Sequence, residues 1–212
     1  MAETTTTAAA PAARGLERAF DLLLAGSVLS WGVLGLAQAA PEDRFGVVRL
    51  ATSALHGVVA LLIVFRHPAG QPPRTAHLLA ALPSLLLSGA LMRLAPPPHS
   101  WAPGVQALFA GGIAVVLAAF LALGRSFAVL PLARRLVTHG PYGWVRHPAY
   151  LGELLALTAC AFAVPWPWPL LLLAAPPGLA LRVLVEERVL SANADWEAYR
   201  ARVRWRLVPR FW

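Results

Sequence analysis

Six stretches of this chain, at about 20–40, 46–65, 76–95, 103–124, 148–164 and 168–190, stay apolar for roughly the length that a helix needs to cross ~30 Å of hydrocarbon. Hydrocarbon offers no water to satisfy backbone N–H and C=O groups, so such stretches become helices that pack on one another. The sequence therefore predicts an all-α fold: a polytopic integral membrane bundle of about six transmembrane helices, closed by a C-terminal helical hairpin and a cytoplasmic tail. Composition agrees, with 58% hydrophobic and 13% charged residues among 212 and a mean hydropathy of +0.62.

Breakers separate the spans. "APEDRFG", "RHPAGQPPRT", "APPPHSWAP" and "VPWPWP" concentrate the Pro, Gly and polar residues that cannot continue a helix. Trp166 and Trp168 at the hairpin tip suit a membrane interface. The opening "MAETTTTAAAPAAR" has no basic segment ahead of an apolar core, so residues 1–15 are expected to be a disordered tail and 16–212 a single membrane domain. Cys160 is the lone cysteine, which excludes an internal disulfide and any multi-cysteine metal site.

All eighteen basic residues are arginine, and fourteen of them fall on one side if both termini share that side. The positive-inside rule then puts both termini in the cytoplasm of a multi-pass protein, expected in the cell inner membrane. The net charge of +8 follows from this topology and from contact with anionic lipid, and no nucleic-acid partner is needed.

On the cytoplasmic side, "HGPYGWVRHPAYLGE" (139–153) gathers histidine, arginine and tyrosine between apolar spans. Polar groups in hydrocarbon are costly unless paired or wetted, so His139, Tyr142, Arg146, His147 and Tyr150 either line a pocket or form an interfacial loop that holds lipid headgroups. The segment alone leaves both open.

Taken with "EERVL" on the last span and "YRARV" in the tail, the pattern resembles the isoprenylcysteine carboxyl methyltransferases and the wider membrane phospholipid methyltransferases. Arg146, His147, Pro148, Tyr150 and Gly152 meet the RHPxYxG motif, and Glu186 with Glu187 meet the glutamate pair that follows. The resemblance implies a methyltransferase-like part at 125–212, behind a four-helix part at 16–124. It also implies an S-adenosylmethionine site without a Rossmann fold, consistent with the lack of a G-x-G-x-x-G turn after a strand. Carried over, cofactor contacts fall on Arg135, Leu136, Val137, Tyr142, His147, Pro148, Ala149, Tyr150 and Glu186. Arg182 and Arg146 are the implied catalytic residues, with Arg182 contacting the acceptor. No metal is implied.

These residue types suit the chemistry. Glutamate can take the cofactor's hydroxyls or ammonium, histidine and arginine its carboxylate, and tyrosine rings its adenine or sulfonium. The expected acceptor is lipidic or a small hydrophobic molecule, arriving from the bilayer while the cofactor arrives from the cytoplasm. A membrane reductase of the sterol-reductase type with a nicotinamide cofactor is one alternative; a non-enzymatic lipid-binding protein is another.

Successive helical residues point ~100° apart, so Glu186 and Glu187 cannot both enter one narrow site, whereas Arg182 and Glu186 share a face. The face of Arg182 and Glu186 is expected to border the site, the plain alternative being an intrahelical ion pair. His56 in mid-span is a functional candidate by default, against a hydrogen-bonded packing role. Glu153 can be a base, a substrate contact or an arginine's partner. Small residues at Ala107, Gly111, Ala110, Ala114 and Ala118 suggest close helix packing, and "PPG" at 176–178 a kink or break in the sixth span.

Overall fold

A computed structural model describes residues 11–66, 75–127 and 136–212, and among these there are helices and turns but no strand. The helices are α1 (Pro11–Ala37), the single turn α2 (Pro41–Arg44), α3 (Val47–Phe65), α4 (Thr75–Leu94), α5 (Pro103–Leu123), α6 (Pro148–Ala163), α7 (Ala175–Leu190) and α8 (Trp196–Arg202). Helix α1 begins at Pro11, ahead of the boundary expected near Leu16, and residues 1–10 lie outside the described part.

All six expected spans are helical, but among the described residues four segments are long and apolar enough to cross a membrane: Arg18–Ala37, Val47–Phe65, Pro103–Ser126 and Trp168–Leu190. Helix α6 has 16 residues, which at ~1.5 Å per residue cover about 24 Å, and the apolar part of α4 runs only from Leu82 to Leu94. Of the kink or break expected at "PPG", the sixth span shows a break: its α-helical part starts there. The chain enters it as a 3-10 turn over Trp168–Ala174, and α7 starts at Ala175 with prolines in its first turn. There a missing N–H costs little, because first-turn N–H groups have no partner within their own helix.

Side chains facing outward are large and apolar, among them Leu23, Trp31, Leu86, Leu121, Phe162 and Leu173. This is the surface expected of a bundle solvated by lipid tails rather than water. Association then depends on close packing, and the tightest crossing joins α5 to α6. A Cβ on Gly112 would lie 2.7 Å from the Ala156 nitrogen, and one on Gly152 would lie 2.6 Å from the Gly112 carbonyl oxygen. The contact is therefore at Gly112 and Gly152, not at Gly111, whose surroundings are open.

Helices α1 and α3 form a second pair. Gly32 makes room for His56, Ser53 Oγ donates to the Gly32 carbonyl at 3.3 Å, and Arg66 Nε donates to Asp21 Oδ2 at 3.0 Å. Asp21 is buried and Arg66 partly so. At the opposite end, Asp43 accepts from the His99 backbone N–H at 2.6 Å and faces its Nδ1 at 3.0 Å, tying α2 to the turn Pro98–Ser100. The tail returns to the bundle on the other face. The N–H groups of Arg146 and His147 donate to the carbonyls of Trp205 and Arg206, each at 2.9 Å. In α8, Trp196 and Tyr199 pack with Val203, Leu136 and Leu190.

Candidate active site

The 3-10 turn Gly140–Gly143 starts at a φ of +60°, a conformation that favours glycine, and it buries Tyr142. Pro148 follows His147 directly and occupies the first turn of α6, where its fixed φ suits helix initiation. From that start, helical spacing places Ala149, Tyr150, Glu153, Ala156, Leu157 and Cys160 on the wall of one cavity of about 600 Å³. On α7, Arg182, Glu186 and Leu190 follow at four-residue spacing and line the same cavity. Its deeper walls are apolar, with Phe109, Ile113 and Val116 from α5, Leu55 from α3 and Met92 from α4.

The polar groups form two linked clusters. In the deeper one, Arg182 lies over the Tyr150 ring with its guanidinium carbon 4.7 Å from the ring centre. Its Nη1 donates to Ser84 Oγ at 2.8 Å and to Glu153 Oε2 at 3.1 Å, while its Nε is buried without a hydrogen-bond partner. The His147 ring stacks on Tyr150 at 5.6 Å and stands between the two glutamates, 3.7 Å from Glu186 and 3.4 Å from Glu187.

In the outer cluster, Arg146 Nη1 donates to Glu187 Oε1 at 2.8 Å and Arg206 Nε donates to Glu187 Oε2 at 3.0 Å. Arg146 also donates through Nε to the Val203 carbonyl at 2.7 Å and through Nη2 to the Arg204 carbonyl at 2.9 Å. Its nitrogens are thus engaged by the tail and by Glu187. Burial by itself would lower the His147 pKa, but the carboxylates of Glu186 and Glu187 outweigh it and raise the value above that of an ordinary histidine. Burial, with Glu186 nearby, raises the Tyr142 phenol. Burial also raises Tyr199, against the opposing Arg146 and Arg202. Both phenols stay protonated as donors, and the Tyr199 hydroxyl donates to the Tyr142 carbonyl at 2.9 Å.

Of the residues singled out in the sequence, the cavity wall brings together Leu136, Val137, Tyr142, Arg146, His147, Ala149, Tyr150, Arg182 and Glu186. Pro148 is fully buried at the start of α6 and does not reach the wall, and Arg135 lies outside the described residues. Glu187 faces the arginines instead of the cavity, and Arg182 makes its direct ion pair with Glu153, not with Glu186. The wall from α3, with Thr52 and His56, and the Tyr199 hydroxyl were not assigned to a site from sequence. His56 had drawn attention as a mid-span titratable group; Thr52 carried no comparable signal. Among the described residues no group of three or more His, Cys, Asp or Glu is placed to hold a metal ion.

The fold and site define a polytopic helical membrane protein with a polar-ended cavity between its helices. Comparison with known proteins adds a partial match: residues 104–193, from α5 to just beyond α7, match the phospholipid methyltransferase family model. The segment contains both the RHPAYLG motif and the glutamate pair, so the resemblance read from those residues holds over it. The match points to a membrane methyltransferase. Over 87 residues the chain is also 38% identical to the lamin-B receptor of Drosophila melanogaster, covering 36% of this chain and 11% of that protein. The chain thus spans about a tenth of the length of that curated relative.

Proposed function

We propose that this protein is a membrane-embedded, S-adenosylmethionine-dependent methyltransferase that acts on a lipidic or small hydrophobic acceptor. The observation that carries the reading is a single cavity with a polar, aromatic end beside the tail and an apolar length running between the helices. Its volume of about 600 Å³ falls among pockets that bury a small-molecule ligand. Two reactants of opposite solubility need such a site, because one arrives from water and the other from the bilayer.

The residues present fit the cofactor. Glu186 offers a carboxylate to hydroxyls or an ammonium, His147 and Tyr142 offer donors, and the Tyr150 face already attracts one cation, the guanidinium of Arg182. The buried Nε of Arg182 calls for an oxygen that the protein does not supply, and a bound reactant would provide it. When bound, S-adenosylmethionine supplies an electrophilic methyl group on a sulfonium. The chain's own residues position and desolvate. Arg182, held by Glu153 and Ser84, orients the acceptor; Glu186 holds the cofactor; Arg146 and Glu187 fasten the tail that walls off water. The fourteen arginines expected on one side support a cytoplasmic tail and cofactor entrance.

The test is transfer of a labelled methyl group from S-adenosylmethionine into lipid extracts by the purified protein in nanodiscs. Label in an organic-soluble product, lost in Arg182→Met, is expected. No transfer, together with binding of a nicotinamide cofactor, would replace the reading by that of a membrane reductase.

A further inference from the structure

The wall of the cavity contributed by α3 and α4 lies before residue 104, outside the family-matched segment, and it carries polar groups that the proposed function has not used. His56 is the tenth of nineteen residues in α3 and so sits at mid-span. It lies nine residues from Phe65, about 14 Å along the helix; Arg182 lies eight residues from Leu190, about 12 Å from the corresponding end of α7. The two therefore line the cavity at similar depth. Gly32 of α1 has no side chain, and a Cβ there would meet the His56 Cβ at 2.9 Å, so α1 backs the histidine closely.

The hydrogen-bond pattern of this wall has one direction. The Nδ1 of His56 lies 2.7 Å from the Thr52 carbonyl, which can only accept, so Nδ1 carries the proton. In that tautomer of the neutral ring Nε2 is an acceptor. No described residue hydrogen-bonds to it. The hydroxyl of Thr52 donates to the Val48 carbonyl at 2.8 Å, and that of Ser88 donates to the Ser84 carbonyl at 2.8 Å. Their protons are engaged and their oxygens keep lone pairs. Around them the lining is apolar, from Leu55, Val59 and Met92. Ser88 also lies within hydrogen-bonding reach of the Glu153 carboxylate, so the open acceptors are on α3, at Thr52 and His56, in a setting where an unmatched polar group is expensive.

We infer that this wall is a recognition subsite for a neutral lipid alcohol, whose hydroxyl donates to Nε2 of His56. It rests on the proposed function in treating the cavity as the acceptor's site, and it narrows the acceptor to a hydrophobic molecule bearing an O–H. An alcohol fits better than an amine, because α3 carries no carboxylate to balance an ammonium and the Glu153 carboxylate on the cavity wall is already paired with Arg182. A hydroxyl donates to the imidazole and leaves its oxygen directed into the cavity that Arg182 also lines.

The test uses farnesol and farnesyl methyl ether with the full-length protein in phosphatidylcholine nanodiscs, without cofactor. The ether keeps the chain and the oxygen but has no proton to donate. Wild type should bind the alcohol about five- to tenfold more tightly than the ether, the value of one neutral hydrogen bond, and His56→Leu should bind the two equally. In ¹⁵N-histidine spectra of wild type, the Nε2 resonance of His56 should move with the alcohol and not with the ether. This second readout needs no variant to fold. Equal affinities in wild type, a preference retained in His56→Leu, or an Nε2 resonance unmoved by the alcohol would each overturn the subsite. Because no cofactor is present, a failure of the methyltransferase reading leaves this result standing on its own.

Discussion

Glu187 accepts from Arg146 at 2.8 Å, and this contact fixes the tail of the chain to the start of α6. The other oxygen of Glu187 accepts from Arg206 of the tail at 3.0 Å, and Arg146 itself reaches two tail carbonyls. The glutamate is therefore the hub of a partly buried charge network, while its neighbour Glu186 looks into the cavity. Removing one partner of such a network leaves charges uncompensated. Glu187→Gln should lower stability by about 2–4 kcal/mol, read as a lower Tm and faster proteolysis of the tail. The affinity of the remaining folded protein for S-adenosylhomocysteine should change less than in Glu186→Gln.

The crossing of α5 and α6 makes a sharper contrast. Gly152→Ala and Gly112→Ala would each push a methyl into backbone at 2.6–2.8 Å, which should cost at least about 1–3 kcal/mol and yield poorly dispersed protein. Gly111→Ala, one residue away with nothing within 4 Å, should be neutral to within about 0.5 kcal/mol. Size-exclusion profiles and Tm values of the three variants check this.

His147 sets a pH dependence. Its folded-state pKa is raised by Glu186 and Glu187 against the opposing effect of burial, so its charged form adds stability. That contribution is fully present below the unfolded-state value, about 6.5, and is lost as pH rises through the higher folded-state value. Thermal stability should therefore decline on the alkaline side of neutrality. His147→Gln should be less stable than wild type at pH 6 and should show a flatter Tm profile from pH 6 upward.

Arg182→Met should separate binding from turnover. The guanidinium is held through Nη1 by Glu153 and Ser84, and its buried Nε has no partner. In the proposed function it meets the acceptor, so kcat should fall by at least about tenfold while affinity for S-adenosylhomocysteine stays within about twofold. Equal losses of both would instead indicate that Arg182 supports the cavity as a whole.

The helices were legible in the sequence because apolar length is a direct consequence of the bilayer's thickness. The number of spans was less so. Helix α6 is mostly apolar apart from Glu153 and its first turn, yet covers about 24 Å at ~1.5 Å per residue, and "PPG" alone does not say whether it kinks a helix or, as here, starts one. Residues that gather on the cavity wall were legible where one helix carries them in series, as with Arg182 and Glu186. Contacts across elements were not: spacing alone says that Glu187 points away from Glu186, but not that Arg146 and Arg206 receive it. The choice of Gly112 over Gly111 depends on a crossing point, which no single helix specifies. On α3, His56 stood out as a titratable group in mid-span, but nothing in a mostly apolar segment tied it or Thr52 to the cavity.

The central claim is that the cavity edged by Tyr142, His147 and Glu186 holds an S-adenosyl cofactor. Calorimetric titration of S-adenosylhomocysteine into the protein in nanodiscs tests it most directly, with NADPH titrated in parallel and with Glu186→Gln as the paired variant. The account predicts saturable binding of S-adenosylhomocysteine, weakened at least about tenfold in Glu186→Gln, the loss expected when one charge-assisted hydrogen bond is removed. Saturable binding of NADPH with none of S-adenosylhomocysteine, or affinity for the latter unchanged in Glu186→Gln, would contradict it.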